Sequence, residues 1–124
     1  MAKVSFLVDT DVVIDYLNSG QFTELFDAPN HVVYYSLITK KELLAKSGLR
    51  EREREAILLE LSRWRMIPLS EKITVRFSEL RRQYPSLGKA DALIAATALV
   101  KHLPLVTRNK KHFRIVSELT VFGG

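Results

Sequence analysis

There is no cysteine anywhere in this chain. Disulfides, thiolate zinc sites and cysteine nucleophiles are therefore excluded, and any metal has to be held by oxygen or imidazole ligands. Long apolar runs are missing as well: the longest, Ala92 to Val100, is less than half of the roughly 20 residues a membrane-spanning helix needs. The opening MAKVSFLVDTD has one lysine and a short apolar run, but it meets acidic residues too early for a signal peptide. A soluble, cytoplasmic protein is expected. No linker, repeat or low-complexity segment interrupts the 124 residues, and an apolar fraction of 47% suffices for one hydrophobic core. A single domain spanning residues 1–124 is expected.

Acids are outnumbered by bases, 14 to 19, for a formal net charge of +5, a balance that favours polyanionic partners. From Lys101 onward the bases Lys101, Arg108, Lys110, Lys111 and Arg114 face the single acid Glu118, and His102 and His112 lie in the same stretch. This end reads either as phosphate-facing or as an ordinary solvated basic face.

What is present is an alternation of strand and helix patterns. Val4 to Val8 reads as a buried strand, followed by a helix from about Val12 to Leu17 that Asn18-Ser19-Gly20 stops. A short helix before Pro29-Asn30 and a β-branched and aromatic strand at His31 to Tyr35 come next. Thr39-Lys-Lys-Glu42 opens a helix, and a longer one runs from about Glu51 to Trp64. Met66 to Leu69 reads as a third strand, and Ser70 caps a helix in which Ile73, Phe77, Leu80 and Tyr84 share a face until Pro85 ends it. Lys89 to Lys101 is a buried helix, Leu103 to Thr107 a fourth strand, and Val116 to Phe122 a last edge strand. Strands alternating with helices imply an α/β fold with a mainly parallel central sheet and helices on both faces. Ligands of such sheets bind outside the carboxyl ends of the strands.

Asp9 ends the first strand at that edge, and a carboxylate closing an apolar strand is costly to bury unless paired, hydrogen-bonded or metal-bound. Asp11, near the next helix start, has a plain alternative as its N-cap. Glu42 likewise fits a capping box with Thr39. Asp91 is the one acid between Lys89 and Leu103, in the first turn of an apolar helix, where it either complements the helix dipole or joins Asp9 around a cation. Thr107 and Asn109, after the fourth strand, offer neutral oxygens or simple turn chemistry. His112, beside Phe113, reads as structural, as a ligand or as a phosphate donor.

Taken in order, LVDTDVVIDYL, SLITKKELLAK, KADALIAATAL and LVTRNKKHF resemble the four signature segments of PIN domains, especially those of VapC-type toxins from prokaryotic toxin–antitoxin modules. The resemblance covers nearly the whole chain. It implies a ribonuclease that uses Mg²⁺ or Mn²⁺ to hydrolyse phosphodiester bonds to 5′-phosphate and 3′-hydroxyl ends, with Asp9, Glu42 and Asp91 as the metal-binding catalytic acids. Asp11, Thr107 and Asn109 become supporting residues, and Arg108, Lys110 and Lys111 substrate-binding ones. Asn109 fills a fourth position that is usually Asp or Asn, here with a neutral side chain, so a second ion would be held weakly or only with substrate. An RNA substrate, a VapB-type antitoxin and a homodimer are the implied partners. A PIN-like module that binds RNA or protein without cutting is the alternative. A haloacid-dehalogenase-type phosphatase fits FLVDTDVV but lacks the later acidic pair, and a receiver domain lacks an Asp after its third strand.

Overall fold

The computed structural model describes residues 2–123. Along the chain run β1 (Val4–Val8), α1 (Thr10–Ser19), α2 (Thr23–Asp27), β2 (His31–Ser36), α3 (Leu37–Leu44), α4 (Glu51–Leu61), β3 (Arg65–Ile67), α5 (Glu71–Gln83), α6 (Lys89–Lys101), β4 (Leu105–Val106) and α7 (Lys110–Phe113). The strands form one sheet in the order β3-β2-β1-β4. Every strand pairing is parallel, with Val4 opposite His31, Leu7 opposite Leu105 and Ser36 opposite Ile67. The α/β expectation holds, and the sheet is wholly parallel.

Because successive strand residues point to opposite faces, β1 feeds two cores. Phe6 and Val8 pack with Val33, Tyr35 and Val106 against Val12, Val13, Phe26, Leu43 and Leu61, the helices preceding β3. Leu7 packs with Ile67 and Leu105 against Ile73, Leu80, Ile94 and Phe113, the helices following it. Both faces are covered, which is why Phe6, Leu7 and Val8 are apolar and buried in succession instead of alternating with polar residues. No helix among the described residues is long and apolar enough to cross a membrane.

Local signals explain most boundaries. Gly20 terminates α1 in a left-handed conformation (φ 72°), donating its N–H to the Tyr16 carbonyl, a position a side chain disfavours. Ser70 caps α5 by accepting from the Ile73 N–H at 3.2 Å. Pro68 lacks an N–H, so β3 stops at Ile67, short of the expected Leu69. The long helix ends at Leu61 instead of Trp64, whose ring folds back into the core beside Tyr16, Phe26 and Tyr35.

The expected edge strand at 116–122 does not form. Val116 and Leu119 both plug the core, a three-residue spacing that needs turns instead of an extended chain, and their N–H groups bond the carbonyls of Phe113 and Val116. All that remains of strand pairing there is an isolated bridge between Leu105 and Val121.

Candidate functional site

The chain lays down β1, β2 and β3 in one direction and then returns to the other side of β1 with β4. Such a reversal opens a crevice at the carboxyl ends of the strands, where open parallel sheets bind ligands. Asp9 directly follows β1 and Thr107 directly follows β4. The last sheet bond, from the Asp9 N–H to the Val106 carbonyl at 2.9 Å, therefore holds the first residue of the site in register.

Asp9 is only 5% exposed. Both carboxylate oxygens are engaged: Oδ1 accepts from the Thr10 N–H and Oδ2 from the Thr107 hydroxyl, each at 2.8 Å. These bonds lower its pKa but do not offset burial, which, with the nearby charges of Asp11 and Asp91, pushes the carboxyl up from 3.8 to about 6. Asp9, not Asp11, is the N-cap of α1. Asp11 occupies the first turn and is mostly solvent-facing.

The Thr39–Glu42 capping box is not formed. α3 begins earlier, with the Ser36 hydroxyl accepting from the Ile38 N–H at 3.2 Å, which leaves Thr39 inside the helix and fully buried. Its hydroxyl lies 2.9 Å from that of Thr10, which donates to Glu42 Oε1 at 2.8 Å. A hydroxyl has one proton and an ionised carboxylate only accepts. Thr39 therefore donates to Thr10, and Thr10 to Glu42. Thr39 stands out in the sequence only as a cap, and Thr10 not at all; the one hint to Thr10 is its place between Asp9 and Asp11.

Asp91 sits in the first turn of α6, whose cap residue Gly88 offers no side chain. Its Oδ2 is 3.1 Å from His112 Nε2, so His112 reaches the site instead of serving only as packing. Asn109 donates its backbone N–H to Thr107 Oγ1 at 3.0 Å, and its side chain makes no capping bond to α7. Arg108 turns toward α1, 3.0 Å from Asp15 Oδ2 and 3.7 Å from Asp11 Oδ2. The contact with Asp15 is not aligned as a hydrogen bond. Lys110 is partly buried and Lys111 exposed.

The fold thus brings Asp9 and Thr107 into contact, sets Asp91 and Asp11 near enough to act on the charge of Asp9, and ties Glu42 to the same corner through Thr10. Among the described residues, no three acidic or imidazole side chains converge tightly enough to hold an ion unaided. Mg²⁺ does not need that: it is commonly held by one or two carboxylates, with water or phosphate oxygens completing its shell. An all-oxygen set in which neighbouring carboxylates raise the charging cost of Asp9 fits a hard divalent cation.

A family model described as the PIN domain matches residues 6–119. Ribonuclease VapC1 of Methanocaldococcus jannaschii is 35% identical over 117 residues, covering 90% of this chain and 81% of that protein. Ribonuclease VapC10 of Mycobacterium tuberculosis is 32% identical over 123 residues, covering 91% and 89%. Among solved structures, the crystal structure of VapBC2 from Rickettsia felis bound to a DNA fragment from their promoter contains a chain that superposes with a TM-score of 0.82 at 27% identity, covering 95% of this chain and 97% of that one. With a family match over nearly its whole length and two relatives above 30% identity, this chain belongs to the PIN-domain family.

Proposed function

We propose that the protein is a divalent-cation-dependent endoribonuclease and the toxin of a VapBC-type toxin–antitoxin pair. The observation that carries this reading is the buried carboxylate of Asp9 at the strand-order reversal, its charge opposed by Asp91 and Asp11. The ribonuclease names of its relatives give the substrate class.

In this reading Asp9 and Asp91, with Glu42 beside them, hold Mg²⁺ or Mn²⁺. A cation so held lowers the pKa of water and offsets charge on the scissile phosphate. The chain's own groups prepare that site. Thr107 holds Oδ2 of Asp9, the Thr39–Thr10 hydroxyl pair orients Glu42, and Asn109 contributes a neutral side chain where a further acid would add charge. Arg108, Lys110 and Lys111 supply positive charge to the phosphate backbone.

A groove of about 800 Å³ beside the site, lined by Ile14, Leu17, Glu42, Leu43, Leu49 and Ile57, suits the apolar face of an antitoxin helix carrying a basic side chain toward the acids. A homodimer of the free protein and a cytoplasmic location belong to the same proposal. The rival, a PIN-like module that binds without cutting, draws on the neutral Asn109.

Cleavage of end-labelled total RNA in Mg²⁺, Mn²⁺ or EDTA by wild type, Asp9→Asn and Asp91→Asn decides between them. Metal-dependent cutting lost in both variants supports the nuclease. RNA binding without cleavage, equal in all three proteins, supports the rival.

A further inference from the structure

The bond between His112 and Asp91 is built, not incidental. The two residues come from different helices, 21 positions apart in sequence. His112 is fixed on its own side by three features. Its backbone N–H bonds the Asn109 carbonyl at 3.2 Å. The next residue, Phe113, is 1% exposed and anchors α7 in the core. The imidazole itself stands edge-on to the Phe113 ring, with centroids 5.7 Å apart and planes at 77°.

The chemistry of the pair is selective. An ionised Asp91 only accepts, so Nε2 carries the proton and donates. The imidazole N–H holds one carboxylate oxygen through a single hydrogen bond, whereas a Lys or Arg in its place would bring a permanent charge that competes with a cation for the carboxylate. Both side chains are about one-third exposed, so without this bond Asp91 has rotamer freedom that cation binding would have to remove.

We propose that His112 is a positioning residue: it fixes Asp91 through Oδ2, leaving Oδ1 for the divalent cation. The inference rests on the metal-nuclease reading and goes beyond it by adding a residue outside the acidic set. Hydrogen-bond partners of ligating carboxylates change metal affinity about 10- to 100-fold when removed.

The test is Mn²⁺ binding by isothermal titration calorimetry at neutral pH, on the full chain and without RNA. Wild type, Asp91→Asn, His112→Phe, His112→Ala and His112→Gln are compared, with circular dichroism melts alongside. The expected result is Mn²⁺ affinity about tenfold weaker in both His112→Phe and His112→Ala, with folded baselines unchanged, and recovery in His112→Gln, which keeps an N–H donor. Mn²⁺ affinity at the wild-type level in either folded variant, while Asp91→Asn has lost binding, overturns the role of His112 and leaves the metal centre standing. A Gln variant as weak as the Phe variant overturns the donor role. No Mn²⁺ binding by wild type removes the metal reading and this inference together.

Discussion

The Thr107 hydroxyl donates to Asp9 Oδ2 at 2.8 Å across 98 residues of sequence, joining the ends of the two strands between which the sheet order reverses. Thr107 Oγ1 in turn accepts from the Asn109 N–H, so one hydroxyl ties the buried acid to the loop that leads into α7. Thr107→Val keeps the shape and removes the hydroxyl. Because a buried acceptor left without its donor costs about 1–3 kcal/mol, urea denaturation at neutral pH should show a loss in that range, with Thr107→Ser close to wild type. A Val variant as stable as wild type would show that the bond contributes nothing net.

Asp9 itself should be a stability liability when no cation is present. Its pKa rises from 3.8 to about 6 on folding, so the fold favours the protonated form. That contribution is complete below the unfolded value of 3.8 and is lost as pH climbs through 6. A shift of this size corresponds to roughly 3 kcal/mol. In EDTA, Asp9→Asn should therefore be more stable than wild type at pH 7.5 by about 1–3 kcal/mol, with the gap closing toward pH 4. The measurement is a pair of denaturation series against pH; a variant less stable than wild type at pH 7.5 contradicts the burial argument.

Cation linkage gives the converse. A ligand that binds only the folded state at 100 times its Kd adds about 2.7 kcal/mol. Mn²⁺ at that excess should raise the wild-type melting temperature and leave Asp9→Asn unmoved, and EDTA should reverse the rise. Equal shifts in both proteins would mean that the ion binds elsewhere.

The hydroxyl relay to Glu42 makes a separate claim. Thr10→Val breaks both of its bonds, to Thr39 and to Glu42, and should lower stability by about 1–2 kcal/mol. It should also slow RNA cleavage about tenfold by releasing Glu42, comparable to losing the hydrogen-bond partner of another ligating carboxylate. Thr10→Ser should preserve the rate. Unchanged cleavage by the Val variant would show that Glu42 needs no such orientation.

Much of this fold is legible in local sequence. The apolar run at Val4 to Val8, the Ser70 cap and the Pro85 stop depend on neighbours within a few residues, and strands alternating with helices admit few folds. The errors have a common origin. Thr39 and Glu42 have capping-box spacing, yet Ser36 takes the cap and Thr39 turns inward to Thr10, 29 residues away. Asp11 had the look of a cap, yet Asp9 fills that role while also bonding Thr107. Residues 116–122 had strand-forming side chains, but the core needed Val116 and Leu119 on one side of a turn.

The sequence by itself therefore determined most of the elements, the sheet covered on both faces and the place of Asp9 at the end of β1, because periodicity and local caps act over short distances. Only the tertiary structure decided which hydroxyl meets which carboxylate and that His112 meets Asp91. Those contacts join segments that become neighbours only once the sheet has assembled with β4 beside β1, and hydrogen bonds of about 3 Å leave no trace in the spacing of residues so far apart along the chain.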